Sequence, residues 1–239
     1  MDAESGRRVG TRTALAVGVA AIALLALGAG GAAAATVSVK KQTVTYKAAK
    51  FELNRVTVVP AYDPVSETAN PGNVMLVEGA NDGTTIEAGA GCTPVGTDSK
   101  VVSCFAYNVI VKLGDGSDNA TVSQAAPPPG QYLVNGPVTM KGEKGDDVLV
   151  GGNGNDTLSG SAGNDTIVGM GHNDRLIGGG GNDYISGADN VADEKVSCGG
   201  GTDTLFVGPP ELALPADHLS GCEWSSPHFL VPEEQAALG

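Results

Sequence analysis

From residue 142 to residue 186 the sequence repeats every nine residues without an insertion, and this period restricts the fold more than any other feature. The first residue of each unit is always Gly, the sixth is always Asp, and the eighth is always Leu or Ile. A flexible glycine-rich linker does not keep residues in a fixed register, so we expect a regular structure. The five units are GEKGDDVLV, GGNGNDTLS, GSAGNDTIV, GMGHNDRLI and GGGGNDYIS, which begin at Gly142, Gly151, Gly160, Gly169 and Gly178.

Each unit predicts a turn of six residues followed by a strand of three. Glycine suits the turn because it reaches positive φ without a Cβ clash. In the strand, alternation sends the eighth residue inward while the seventh and ninth face outward. Two units then make one right-handed coil, and stacked coils bury a narrow column of Leu and Ile. The sequence therefore predicts an all-β fold, a parallel β-roll (right-handed β-solenoid) that follows an irregular β-rich N-terminal region.

The sixth-position aspartates predict the chemistry of the segment. Stacking places Asp147, Asp165 and Asp183 along one edge of the roll, and Asp156 and Asp174 along the other. The five units contain seven acidic and only two basic residues, so a stack without cations would repel itself. Calcium suits such turns better than magnesium, because it accepts carboxylate and carbonyl oxygens in a flexible geometry. A roll that needs no metal is the alternative, although so narrow an aliphatic column is a weak source of burial energy.

A sixth unit, CGGGTDTLF, begins at Cys198 after the register breaks between Gly187 and Ser197. Upstream, a degenerate unit runs from Gly114 to Asp118. Because metal binding to such turns contributes to folding itself, we expect the repeats to fold around their ions. The predicted calcium ligands are the sixth-position residues Asp147, Asp156, Asp165, Asp174, Asp183 and Asp203.

The repeat resembles the RTX, or haemolysin-type, calcium-binding repeat, whose form is GGxGxDxUx. This resemblance implies a parallel β-roll in which sixth-position aspartates and nearby carbonyls hold calcium between turns. RTX toxins and proteases usually carry a C-terminal export signal and a large effector domain, whereas this chain has an N-terminal signal and little room for an effector. We therefore do not transfer their activities. The chain also resembles, more loosely, exported bacterial proteins that flank such repeats with cysteine pairs.

The N-terminus has the layout of a cleaved secretory signal. Arg7, Arg8 and Arg12 precede an apolar run at 13–27, and an A-x-A pattern ends at Ala35. An uncleaved membrane anchor is the alternative, but the apolar run is short for a spanning helix. The Arg7-Arg8 pair also permits a twin-arginine signal. We therefore predict a secreted, extracellular chain that has no membrane contact after cleavage.

The four cysteines predict disulfides, because an even number in an exported chain is typical of disulfide pairing. Four cysteines allow three pairings. We favour Cys92–Cys104 and Cys198–Cys222, since each pair flanks its own compact segment. A zinc site is the alternative, although the chain lacks CxxC and CxxH spacing.

Composition shifts divide the chain into five segments. The N-terminal region has apolar residues at period two, as in Val44/Tyr46 and Val109/Val111, and three consecutive prolines follow it. The predicted segments are a signal peptide at 1–35, a β-rich region at 36–125, a linker and lead-in strand at 126–141, the repeat roll at 142–206, and a C-terminal cap and tail at 207–239.

The functional prediction is an exported calcium-binding structural or adhesive protein that is not an enzyme. A formal charge of −13 disfavours nucleic-acid partners. The three histidines do not form HExxH, and no serine lies in GxSxG. A small exported enzyme or toxin-like effector, with the roll as a calcium-dependent stabiliser, is the alternative. A cell-wall carbohydrate binder is another, and its exposed aromatic residues would come from Tyr46, Tyr62, Tyr107 or Tyr132.

Overall fold

The computed structural model describes residues 34–49, 53–59, 73–79, 85–123, 136–187, 193, 195–207 and 219–222. All secondary-structure elements within these ranges are β-strands. No helix in this part of the chain is long and apolar enough to cross a membrane. Most of the predicted signal peptide, the three prolines and most of the predicted C-terminal tail lie outside the described residues.

The strands are short, and none is longer than eight residues within the described ranges. In chain order they are β1 (Ala35–Lys40), β2 (Thr43–Lys47), β3 (Arg55–Val59), β4 (Asn73–Glu78), β5 (Ile86–Ala88), β6 (Cys92–Val95), β7 (Asp98–Phe105), β8 (Asn108–Asp115), β9 (Asn119–Val122), β10 (Val138–Lys144), β11 (Val148–Val150), β12 (Thr157–Ala162), β13 (Thr166–Val168), β14 (Arg175–Gly180), β15 (Tyr184–Gly187), β16 (Lys195–Gly200), β17 (Thr204–Val207) and β18 (Leu219–Ser220).

The strands form two sheets of nine strands each. The first sheet has the order β18-β16-β14-β12-β10-β8-β2-β1-β5, and the second has the order β17-β15-β13-β11-β9-β3-β4-β7-β6. From β10 onward, each strand pairs in parallel with the strand two places before it in the chain. One strand from each sheet therefore makes one coil, and the predicted parallel β-roll is confirmed.

The eighth residue of each repeat faces the interior, as alternation predicts. Leu149 pairs in register with Ile167, and Leu158 pairs with Leu176. Each of these four side chains is completely buried. Full burial of one such side chain contributes about 1.5–3 kcal/mol. The two inner faces meet in one core cluster, which includes the aliphatic column Met140, Leu149, Leu158, Ile167, Leu176, Ile185, Val196 and Leu205.

The strands of the two sheets differ in length within the repeats, which the sequence pattern does not show. Strands of the second sheet in the repeats are as short as predicted, as in Thr166–Val168. Strands of the first sheet continue into the next unit, as in Thr157–Ala162, which includes the first three residues of the unit that begins at Gly160. The cause is continued parallel pairing, since Ser161 still pairs with Gly179 of the next coil.

The coil begins upstream of the first repeat. β8 pairs in parallel with β2 as well as with β10, and β9 pairs in parallel with β3 as well as with β11. The period-two residues Val44, Tyr46, Val109 and Val111 lie on these strands and face the core. The predicted β-rich region therefore contributes coils to the same stack as the repeats.

Antiparallel strands and disulfides lie at the ends of the stack. At the N-terminal end, β1 pairs with β2, β4 pairs with β3 and β7, and β6 pairs with β7 in antiparallel fashion. Cys92–Cys104 joins β6 to β7, and Cys198–Cys222 joins β16 to the residues that follow β18. Both predicted pairings are confirmed, and no cysteine is left for a zinc site. Closing these loops of 12 and 24 residues stabilises the fold by about 3 and about 3.5 kcal/mol.

Candidate metal centre

One edge of the roll carries a column of buried aspartates that immediately precede strands of the second sheet. The main-chain N–H of Asp147 donates to Oδ1 of Asp165, at 2.9 Å. Asp165 donates in the same way to Asp183, and Asp183 to Asp203, also at 2.9 Å. Each of the four is at most 2% exposed. In-register stacking thus converts a spacing of 18 to 20 residues in sequence into direct contact.

The opposite edge carries a second column, which includes Asp156 and Asp174. The N–H of Asp156 donates to Oδ1 of Asp174 at 2.8 Å, and that of Asp174 donates to Asp193 at 3.2 Å. At the start of this column, Val138 N–H donates to Oδ1 of Asp156. Unlike the first edge, Asp156 also has its Oδ2 bonded within its own turn, by the N–H of Gly152 at 2.7 Å. The turn of Asp156 therefore offers a cation a different environment from the turns of the first edge.

Each carboxylate of the first edge keeps one oxygen without a hydrogen bond. Within the described residues, these are the buried Oδ2 atoms of Asp118, Asp147, Asp165, Asp183 and Asp203. A buried carboxylate oxygen with no donor carries a full desolvation penalty. A column of such oxygens is therefore a physical reason for a cation to bind, and it does not depend on the repeat pattern.

The invariant first-position glycine makes room for this oxygen. A Cβ at Gly142 would overlap Oδ2 of Asp147, and a Cβ at Gly160 would overlap Oδ2 of Asp165. The fourth-position glycine has a different role, since Gly163 adopts a φ of +137° and packs against the carbonyl of Gly145. These steric limits explain why Gly recurs at both positions.

The donor set fits calcium. Among the described residues, no group of three or more His, Cys, Asp or Glu side chains converges on one point. An ion at this edge would therefore combine aspartate carboxylates of successive turns with main-chain carbonyls of the glycine-rich turns. Calcium accepts six to eight oxygen ligands, carbonyls included, in such mixed sets.

The fifth position forms a second ladder that the sequence interpretation missed. The N–H of Asn164 donates to Oδ1 of Asp146 at 2.7 Å, and the N–H of Asn182 donates to Oδ1 of Asn164 at 2.8 Å. These side chains reach toward the following coil, whereas the sixth-position carboxylates reach toward the preceding one. The signal was present in the sequence, because the fifth residue is Asp or Asn in all five units.

Comparison with known families agrees with this geometry. The model of the RTX calcium-binding nonapeptide repeat matches residues 139–167 and 159–190, with four copies. Residues 139–190 are RTX repeats. They bind calcium. No curated protein and no solved structure matches the chain.

Two aspartates outside the predicted ligand set stand in the same columns as those of the RTX repeats. Asp193 follows the break in register, and yet its Oδ1 accepts a hydrogen bond from the N–H of Asp174. Asp118 belongs to the degenerate unit, and its N–H donates to Oδ1 of Asp147 at 2.8 Å. Both were missed because the spacing of nine residues is interrupted beside them.

The other residues singled out in the sequence are not members of the aspartate columns, although His172 interacts electrostatically with Asp156. His172 is exposed and occupies a fourth position with a φ of 76°. Tyr46 is completely buried, so it cannot contribute an exposed ring to a carbohydrate site, whereas Tyr107 is partly exposed. The remaining candidates His218, His228, Tyr62 and Tyr132 lie outside the described residues.

Burial raises the pKa of several carboxyl groups in the two aspartate columns. For Asp147, burial and the neighbouring carboxylates Asp165, Asp118 and Asp146 outweigh a main-chain hydrogen bond and raise the pKa to about 7. For Asp165, burial and nearby aspartates raise the pKa to about 6. Burial also raises the pKa values of Asp156 and Asp183. Without metal, protons therefore relieve part of the repulsion that calcium would otherwise neutralise.

In calcium, Asp165→Asn should be less stable than the wild type, whereas in a chelator it should be at least as stable. With calcium at about one hundred times Kd, losing one site removes about 2.7 kcal/mol of stabilisation. In EGTA, the variant should equal or exceed the wild type, because one buried charge is gone. Thermal unfolding followed by circular dichroism measures both conditions. The control is Asp146→Asn, which is exposed, and an unchanged calcium response in Asp165→Asn would contradict the site.

The metal-free RTX roll should lose stability as the pH rises from about 4 to about 7. Because the folded-state pKa values are raised, folding takes up protons. The stability that this uptake contributes is complete below the ordinary aspartate pKa of 3.8 and is lost as the pH rises through about 6 to 7. Calcium affinity should change in the opposite sense and weaken as the pH falls. Thermal midpoints in metal-depleted buffers test this, with Asp147→Asn/Asp165→Asn expected to flatten the slope. A metal-free midpoint that increases with pH would show that the assignment is wrong.

Proposed function

We propose that this chain is an exported structural or adhesive protein that acts by binding and not by catalysis, and whose roll folds around calcium outside the cell. The observation that carries the proposal is the column of buried Oδ2 atoms without hydrogen bonds, which extends from Asp118 to Asp203. A stack that contains these oxygens at each first-edge coil from Asp118 to Asp203 needs a cation along this length.

Export is supported by the N-terminal segment and by the disulfides. The basic residues, apolar run and A-x-A pattern ending at Ala35 are typical of a secretory signal. Disulfides persist in oxidising compartments, and all four cysteines are paired. Extracellular calcium modules bind with Kd values of about 10⁻⁴ to 10⁻³ M. A chain with such affinity would cross the membrane unfolded and would fold when it meets extracellular calcium.

The exported chain should gain β-structure when calcium is added to metal-depleted protein. Magnesium at the same concentration should produce little of this change, because it requires a strict octahedron and retains its waters. Circular dichroism with calcium, magnesium and then EGTA measures the transition. Mass spectrometry of the secreted chain should show cleavage after Ala35 and both disulfides. A β signal and thermal midpoint that ignore calcium would remove the basis of the proposal.

An adhesive role is favoured by a row of lysines on the outer face of the first sheet. Lys47 pairs in register with Lys112, and Lys112 pairs with Lys141. Neighbouring strands are about 4.8 Å apart, so the three side chains leave the sheet in one line about 10 Å long. Like charges directly opposite one another are destabilising. We therefore propose that this lysine row, a local cationic site on a chain of net negative charge, binds a polyanionic polysaccharide whose acidic groups would relieve the repulsion.

Replacing Lys47, Lys112 and Lys141 together by Gln should weaken binding to dextran sulfate by about tenfold, since exposed charge contacts contribute about 0.2–1 kcal/mol each. A matched control replaces Lys40, Lys41 and Lys144, which changes the net charge equally outside the row. Neutral dextran should not bind. Biosensor measurements at fixed calcium distinguish the variants. Equal loss in both triple variants would show that the row has no specific role.

A further inference from the structure

Asp118 continues the first-edge ladder beyond the RTX repeats. It lies outside the matched residues 139–190, in the turn between β8 and β9. Its N–H donates to Oδ1 of Asp147 at 2.8 Å, as each ladder aspartate donates to the next. The carboxylate is 2% exposed. The separation of the two aspartates in sequence is 29 residues instead of 18, because the intervening segment is longer while the coil is the same.

Like the first-edge carboxylates of the repeats, the buried carboxylate of Asp118 has one oxygen without a hydrogen bond among the described residues. Its Oδ1 accepts the N–H of Asn54 at 2.7 Å, while its buried Oδ2 has no hydrogen-bond partner among the described residues. The local sequence nevertheless departs from the repeat, since Leu113 replaces the first Gly and Ala120 replaces the inward Leu or Ile. The site is therefore defined by the stack and not by the nonapeptide pattern.

Asn54 occupies the corresponding position one coil earlier, but it carries no charge. Its side-chain Nδ2 donates to Oδ1 of Asp118 at 3.2 Å and to the carbonyl of Leu113 at 3.4 Å. The amide therefore supplies donors where the coils of the repeats have only a carboxylate. The Tyr46 hydroxyl lies 3.2 Å from Oδ1 of Asn54 and hydrogen-bonds to the carboxylate of Glu78, which positions the amide.

We propose that Asp118 and Asp147, with carbonyls of their turns, hold a further calcium ion, and that Asn54 terminates the ladder. This inference rests on calcium binding by the RTX repeats. Asn54 immediately precedes β3, and Asp118 immediately precedes β9, which pairs with β3. An ion at Asp118 therefore stabilises the coil formed by β2 and β3, and both of these strands belong to the calcium-dependent unit.

The test compares Asp118→Asn with Asp115→Asn in the exported chain. Asp115 is the last residue of β8, close to Asp118 in sequence, and pairs with Lys144 at 3.4 Å, so it controls for lost charge. Isothermal titration with calcium should give one ion fewer per chain for Asp118→Asn and no change for Asp115→Asn. Hydrogen exchange in calcium should increase in β2 and β3, while residues 157–187 remain protected. Unchanged stoichiometry in Asp118→Asn would overturn the proposal.

A gain-of-charge variant keeps the proposal testable if Asp118→Asn does not fold. Asn54→Asp adds a carboxylate at the end of the ladder, so metal-free protein should be less stable and calcium should bind with one more ion per chain. A variant with unchanged stability in EGTA and unchanged stoichiometry would overturn the terminating role of Asn54. Wild-type protein that binds no calcium would instead contradict the repeat sites themselves.

Discussion

The repulsion among stacked buried carboxylates is the constraint on which the rest of the fold depends. Successive coils are about 4.8 Å apart, and two unit charges about 5 Å apart repel by about 3 kcal/mol at an effective dielectric constant of about 20. Burial of one aliphatic side chain contributes about 1.5–3 kcal/mol. Each coil adds two buried sixth-position carboxylates, one at each edge, and two inward aliphatic residues, such as Asp156 and Asp165 with Leu158 and Ile167. The hydrophobic gain is thus of the same size as the repulsion, and a cation determines which of them prevails.

The hydrogen bonds of the turns make this constraint directional. Sixth-position carboxylates accept from the preceding coil, while fifth-position side chains accept from the following coil. The two ladders hold neighbouring turns in register, so that the Oδ2 atoms of successive coils align. Disulfides Cys92–Cys104 and Cys198–Cys222 act at the ends, where a coil has a neighbour on one side only. Calcium and the disulfides therefore stabilise different parts of the same stack.

Much of the roll could be predicted because its contacts repeat with the sequence. The inward positions of Leu149 and Ile167, and the division of Asp147 and Asp156 between two edges, follow from a period of nine in a coil of two units. The prediction failed where the separation between aspartates of successive coils differs from the regular 18 residues. Asp118 and Asp193 meet their neighbours across 29 and 19 residues, and a connection of different length changes the spacing without changing the contact. The fifth-position ladder was missed for another reason, since Asp and Asn are common in turns and their recurrence at this position was not taken to indicate a partner.

The sequence by itself determined the all-β roll, the inward aliphatic column, the sixth-position aspartates and calcium as their ion, because each depends on local alternation and on one repeated spacing. Only the tertiary structure decided where the stack begins and which carboxylates lack a donor. Those properties depend on parallel pairing between distant strands, as when β8 joins β2 to β10. They depend also on the side chain at a single position, because Asn54 donates a hydrogen bond to Asp118 from an amide where the repeats have a carboxylate.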